Sequence, residues 1–253
     1  MDPEDTAIFV DICDQQLVLH QSRKSFNCGS TLWSAGLVLA RYLEQERSMF
    51  DKGKLTLRVL ELGAGLGLAG IVCALKGGCR EVVLTDLASV LPYLQKNARF
   101  IPGVRVQEFP WGEPPEEYDL SAPYDLVLAA DCIYDVAQVA PFLHALSAVA
   151  GPKTTILIGN EERDKVLQAH FVATLGEHFT VKSIKRKKLC GLEGYHELVQ
   201  VWACKKKRCK GELSGSQPQS LPDGSANEET SDEEEKKSKM VAEGEAAADE
   251  GGK

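Results

Sequence analysis

The sequence predicts an α/β fold, a mostly parallel seven-stranded sheet covered by helices and finished by an antiparallel C-terminal hairpin. Three observations predict it. From Leu57 to Gly176, short continuous apolar runs alternate with segments of helical period, the pattern of strands buried on both faces between helices. After Gly176 the alternation stops, and two strand-like runs follow with no helical period between them. The first apolar run also enters a glycine-rich turn, Gly63-Ala64-Gly65-Leu66-Gly67, that opens a helix.

In chain order, Ile8–Ile12 and Leu17–His20 alternate in polarity across Asp14-Gln15-Gln16 and read as a β-hairpin. Ser22–Ser30 is polar and turn-rich, and Leu32–Glu46 places Leu32, Leu37, Val38 and Tyr42 at helical spacing. The alternating region then predicts strands over Leu57–Leu62, Glu81–Thr85, Val104–Glu108, Leu126–Ala130 and Thr154–Gly159. Between and after them it predicts helices over Gly65–Leu75, Leu87–Phe100, Ala137–Val149 and Arg163–Gly176. Pro92 is tolerable there because it falls near a helix start. Thr180–Arg186 and Glu197–Cys204 are the closing hairpin. Three segments result: residues 1–56, a hairpin and helix packed on the core; 57–210, the core; and 211–253, a tail. That tail is rich in Glu, Ser, Gly and Ala, has little to bury, and is expected to be disordered.

Composition excludes several classes. With 43% apolar and 26% charged residues the chain is an ordinary globular one. The net charge of −8 belongs to the tail, which holds 12 acidic and 4 basic side chains, leaving residues 1–210 with 25 of each sign. A neutral core argues against specific nucleic-acid binding. Lys185–Lys188 and Lys205–Arg208 lack interleaved aromatics and read as solvated faces or a loose import signal. No run of 18 apolar residues is present, so no membrane span is expected. The N-terminus Met-Asp-Pro-Glu-Asp is acidic where a targeting peptide would be basic. Eight cysteines occur without a Cys-x-x-Cys or a histidine at ligand spacing, so reduced thiols and no metal site are expected. The expected location is cytoplasmic with nuclear entry open, and the expected state is a monomer.

The motifs carry the chemistry. Glycines after a buried strand let a ligand approach the backbone at the N-terminus of a helix. Asp86 ends the next strand 21 residues beyond Gly65, where a carboxylate can accept from ribose hydroxyls. Gly65-Leu-Gly67-Leu-Ala-Gly70 also satisfies the dinucleotide pattern G-x-G-x-x-G, so a nicotinamide enzyme stays open at this point. Glu61 tips the choice toward S-adenosylmethionine. It lies in the strand end, where an acid can anchor a loop binding an amino-acid moiety and would serve a pyrophosphate poorly. The terminal hairpin likewise resembles the sheet ending of class I methyltransferases. Asp131-Cys132-Ile133-Tyr134 follows the fourth strand of the alternating region and should face the same crevice. A nucleophilic Cys132 would want a positioned base, and none is identifiable.

Here the chain resembles the seven-strand family 16 protein methyltransferases, whose hallmark is D-x-x-Y at this place. Ser30–Leu39 resembles the family's tryptophan-bearing segment, Val59–Gly70 its glycine loop, Phe109–Gly112 its "WG" segment, and Glu161-Glu162-Arg163 its E-x-R. The likeness spans about residues 7–204 and is greatest to the branch acting on chaperones, the valosin-containing AAA ATPase and elongation factor 1A. It implies a Rossmann-like fold and S-adenosylmethionine-dependent lysine N-methylation of a non-histone protein. It further implies cofactor contacts from Trp33, Glu61, Gly63, Ala64, Gly65, Gly67, Asp86, Trp111 and Ala130, with Asp131 and Tyr134 at the reacting amine. Glu161 and Arg163 are expected to form a structural pair. Asn160 departs from the family, which usually carries an aromatic there. The bland readings are core positions for Trp33 and Trp111 and a helix cap for Asp131. Rival functions are methylation of histidine or a small molecule, a nicotinamide dehydrogenase, and a non-enzymatic adaptor.

Overall fold

The computed structural model describes residues 5–22, 28–46, 48–50, 56–189 and 197–207. All of these belong to one compact unit, Met1–Lys210. The expected acidic tail, residues 211–253, lies outside the described residues, so that expectation stays as it was.

The chain opens with β1 (Asp5–Ile12) and β2 (Gln15–Ser22), an antiparallel pair. Their turn is two residues long, Cys13-Asp14, both with positive φ, as a turn matched to strand twist requires. The sequence placed it one residue late because neither residue is the usual glycine. Then come α1 (Ser34–Gln45), β3 (Leu57–Leu62), α2 (Leu68–Lys76), β4 (Cys79–Asp86), α3 (Leu91–Ala98) and β5 (Val104–Glu108). The second half holds β6 (Tyr124–Ala130), α4 (Val139–Val149), β7 (Ala150–Glu161), α5 (Lys165–His178), β8 (Phe179–Ser183) and β9 (Val199–Lys206).

β3 to β9 form one seven-stranded sheet in the order β5-β4-β3-β6-β7-β9-β8. Only β9 runs against the others, inserting between β7 and β8 and pairing antiparallel with both. The predicted hairpin is therefore present, with its first strand carried to the sheet edge. The two faces are buried under separate layers. Val59, Leu84, Leu126 and Leu157 pack with the hairpin, α1 and α2. Leu60, Leu62, Val127 and Ile158 pack with α4 and α5 around Phe142 and Phe171.

Boundary differences have local causes. α2 starts at Leu68 rather than Gly65 because Gly65 and Gly67 have left-handed φ. α3 starts at Leu91, with Pro92 in its first turn. β7 begins four residues early, since Ala150 pairs with Tyr124 across a register shift that accommodates Pro152. β8 ends at Ser183, and Arg186–Lys188 form a 3-10 turn. In the second basic cluster the described lysines, two of them exposed, also bond to backbone. Lys206 donates to the carbonyls of Ser147 and Ala150 and Lys207 to that of Gly176, oxygens at or near the ends of α4 and α5.

Candidate active site

Chain direction reverses at β3: the strands go outward to β4 and β5, then return to β6 and β7 on the other side. Such a switch point leaves a crevice at the strands' carboxyl ends. A cavity of about 1050 Å³ is found there, lined by residues that include Trp33, Glu61, Gly63, Ala64, Gly65, Asp86, Trp111, Ala130, Asp131, Tyr134 and Arg163. Ten of the eleven residues expected to act on cofactor or substrate thus share one space.

Gly67 stands apart. It does not line the cavity, and a Cβ there would meet Leu94 Cδ1 at 2.7 Å and Leu84 Cδ1 at 2.9 Å. Its glycine is required by packing between α3 and β4 at a left-handed turn, so it shapes the loop from behind. Gly65 does face the cavity. A Cβ on it would come within 3.2 Å of the Gly29 carbonyl, so the turn Cys28–Ser30 is a close neighbour of the glycine loop. The sequence assigned that turn no role. A glycine flanked by small polar residues was the one available signal.

Glu61 is buried by strand geometry. Alternation along β3 sets it on the same face as Val59, beneath α2, where it accepts from the Gly70 N–H at 2.8 Å. Burial, with a smaller push from the charge of Asp86 and against that hydrogen bond, raises its carboxyl to about 8. A Cβ at Gly70 would meet Leu84 Cδ2 at 2.2 Å and Glu61 Oε2 at 2.8 Å, so only glycine brings the helix N–H this close. Asp86 accepts from the Gly65 N–H and the Leu87 N–H, each at 2.8 Å, and burial raises its pKa against those two bonds. Each Asp86 oxygen keeps a further acceptor position.

The opposite wall is held by side chains. Asp131 has φ 59°, a left-handed conformation that costs a non-glycine residue ~1–3 kcal/mol. Its N–H donates to the Gly159 carbonyl at 2.8 Å, and Arg163 grips its carboxylate with a fork, Nη1 to Oδ1 at 3.0 Å and Nη2 to Oδ2 at 2.5 Å. Oδ1 also accepts from the Glu161 N–H at 3.3 Å. Nη2 of Arg163 continues to Glu161 Oε2 at 2.7 Å, and its Cζ lies 5.0 Å from the Trp33 ring centroid. Burial opposes the Arg163 charge, but the hydrogen bonds and fields of Asp131 and Glu161 outweigh it and raise its pKa. The expected Glu161–Arg163 pair is therefore present, and it extends to Asp131.

Asp131 is not a helix cap; Asp135 accepts from Ala137 N and caps the 3-10 turn Val136–Gln138 that leads into α4. Tyr134 is 58% exposed at the mouth, and partial burial raises its hydroxyl pKa. Cys132 is buried, with its thiol against the Leu62 carbonyl at 3.3 Å, and burial raises its pKa well above the ordinary value. It packs the loop and is no nucleophile. Trp33 is 41% exposed with Nε1 donating to the Cys28 carbonyl, so it is not a core aromatic. Trp111 combines both readings, lining the cavity while starting an edge-to-face series through Phe142 and Phe171 to Trp202. Asn160, where an aromatic was expected, donates to Gln168 Oε1 at 2.9 Å and reaches the Ile133 carbonyl at 3.5 Å.

A family model described as lysine methyltransferase matches residues 12–178. The chain belongs to the family 16 lysine methyltransferases. The enzyme is 33% identical over 182 residues to protein N-lysine methyltransferase METTL21A of Danio rerio, 68% of this chain and 78% of that protein. It is 33% identical over 180 residues to EEF1A lysine methyltransferase 3 of Mus musculus, covering 69% and 74%. Among solved structures it is similar in fold to the T. thermophilus 16S rRNA N2 G1207 methyltransferase RsmC in complex with AdoMet and guanosine. The TM-score is 0.54 at 21% identity, covering 80% of this chain and 51% of that one. It is thus an S-adenosylmethionine-dependent protein-lysine N-methyltransferase.

Proposed function

We propose that the enzyme methylates a lysine ε-amine on a non-histone protein, with the donor on the β3–β4 side of the cavity and the amine entering past Asp131 and Tyr134. The observation that carries this is the shared cavity, in which two carboxyls held by backbone N–H groups face a third held by Arg163. The residues fit S-adenosylmethionine. Glu61, buried and without a cation partner among the described residues, suits a ligand bearing an ammonium and a sulfonium. Asp86 keeps acceptor positions for a ribose diol. Ala64 and Gly65 offer close backbone, and Trp111 with Ala130 an apolar slot for adenine. Gly63 leaves room for the Trp111 ring, since a Cβ there would lie 3.0 Å from its Cζ2. Trp33 flanks the entrance. When bound, the cofactor supplies an electrophilic methyl group on sulfur.

The chain's own task is to present a neutral amine in line. A free lysine of pKa ~10.4 is neutral about once in a thousand near pH 7.4. Desolvation in the channel lowers that pKa. Asp131 accepts one N–H of the amine and leaves the lone pair aimed at the methyl carbon, while Tyr134 walls the entrance. Positioning of this kind contributes ~7–11 kcal/mol in favourable cases, so no dedicated base is required.

The target is proposed to be a chaperone, an AAA ATPase or an elongation factor, met in the cytoplasm. The similarity to an enzyme named for EEF1A supports the last of these. Incubation of the full chain with labelled cofactor and a fractionated cell extract, followed by mass spectrometry of the labelled band, tests the reading. A methylated lysine is expected. A labelled histidine or small molecule would overturn the nucleophile, and no affinity for the cofactor in calorimetry would overturn the whole.

A further inference from the structure

We propose that Arg163 is a positioning residue for methyl transfer, fixing the one acceptor site that Asp131 offers the amine and lowering the amine's pKa by its charge. This rests on the methyltransferase reading of the cavity.

A carboxylate has about four acceptor positions. Three are used on Asp131: two on Oδ1, by the Glu161 N–H and Arg163 Nη1, and one on Oδ2, by Arg163 Nη2. The remaining position, on Oδ2, is the only one an amine can take. Its direction is set because the fork fixes the carboxylate plane and the backbone is locked at positive φ. A lysine in place of Arg163 supplies the charge without the fork.

Charge enters separately. Among the described residues that line the cavity, Arg163 is the only cation, against Glu61, Asp86 and Asp131. The loop after β6 brings Asp131, Cys132, Tyr134 and Asp135 to this end, and burial raises the pKa of the Cys132 thiol and, in part, of the Tyr134 hydroxyl. β7 contributes Glu161 against the guanidinium, β4 contributes Asp86, and the segment before α1 contributes Cys28 and the Trp33 ring. An ammonium arriving at Oδ2 of Asp131 therefore stands beside a guanidinium already seated on the same carboxylate. That charge offsets part of the pull the Asp131 and Glu161 carboxylates exert on an ammonium, and so shifts the balance toward the neutral amine, the form with a lone pair for carbon.

The test uses the extract protein that wild type labels most strongly, expressed unmethylated in bacteria, with kcat and kcat/KM followed across pH and cofactor affinity by calorimetry. Arg163→Met is expected to lower kcat at pH 7.5 about 100-fold and to move the acid limb of kcat, which reports the bound complex, up by roughly half a pH unit or more. Cofactor affinity should stay within about three-fold of wild type, since the Arg163 hydrogen bonds go to Asp131 and Glu161 on the β6–β7 wall and its stacking on Trp33 is the one contact on the cofactor side. Arg163→Lys is expected to leave the limb in place while kcat stays about tenfold low, because the charge returns without the fork. Glu161→Gln removes a negative neighbour and is expected to move the limb down. A limb that stays in place in both Arg163→Met and Glu161→Gln overturns the proposal whatever the rates do, because a mere scaffold slows the reaction without titrating it. Full recovery of kcat by Arg163→Lys overturns the fork. Should Arg163→Met fail to fold, the other two variants decide. Failure of wild type to bind cofactor or label any protein removes the function reading, and this inference with it.

Discussion

The two walls of the cavity hold their acids by opposite means. On the β3–β4 wall, among the described residues, Glu61 and Asp86 accept only from backbone N–H groups, and burial raises both pKa values. On the β6–β7 wall, Asp131 and Glu161 share the guanidinium of Arg163, which also lies over the Trp33 ring. The first wall is short of positive charge and prepared for a cationic ligand. The second brings its own cation, which fixes the acid that orients a group and offsets part of that acid's preference for the protonated form. A carboxyl is thus a binding element or an aiming element according to whether the fold supplies its counter-charge.

The largest expected effect separates the walls by rate. Asp131→Ala should lower kcat by at least ~10²-fold while cofactor affinity stays within a few-fold, measured by single-turnover transfer and calorimetry; retained activity would erase the distinction. Asp86→Ala should do the converse, weakening cofactor affinity by roughly 10- to 100-fold, with unchanged calorimetric affinity counting against the first wall's role. Gly70→Ala tests the backbone grip on Glu61. The new methyl group has no room beside Leu84 and Glu61, so unfolding in urea should show a loss of ~1–3 kcal/mol.

The smallest effect concerns pH. The folded-state pKa of Glu61, about 8, lies above its ordinary 4.5. Its contribution to stability is therefore whole below about pH 4.5 and lost as pH rises through about 8. Glu61→Gln keeps an acceptor for the Gly70 N–H and cannot ionise. The fall in Tm between pH 5 and pH 8.5 should shrink by roughly 5 °C in the unliganded variant. In wild type, cofactor affinity should rise with pH up to about 8, because a cationic ligand selects the ionised carboxyl, and this slope should vanish in Glu61→Gln. An unaltered slope in the variant would remove Glu61 from the binding wall.

Much of the first wall was legible because it is local. Strand, glycine turn and helix are contiguous, and Asp86 sits at the next strand's end, so period and spacing alone bring Glu61, Gly65 and Asp86 together. Gly67 marks the limit of that locality. A linear motif does not say which glycine admits a ligand and which admits Leu84 and Leu94. The second wall was legible only as fragments. Trp33, Asp131 and Arg163 come from three distant segments, and the pairing that joins them depends on β7 lying beside β6.

What the sequence by itself determined is the alternation of elements and the residue types at the strand ends, since both follow from hydrophobic period and short-range turn chemistry. Tertiary structure alone decided the counter-charges: Glu61 buried without one, Asp131 gripped by Arg163, Lys206 and Lys207 spent on the carbonyls near the ends of α4 and α5. The reason is distance. Apolar burial is encoded residue by residue, whereas an ion pair requires two groups from separate strands to arrive within about 3 Å, and only the completed sheet puts them there.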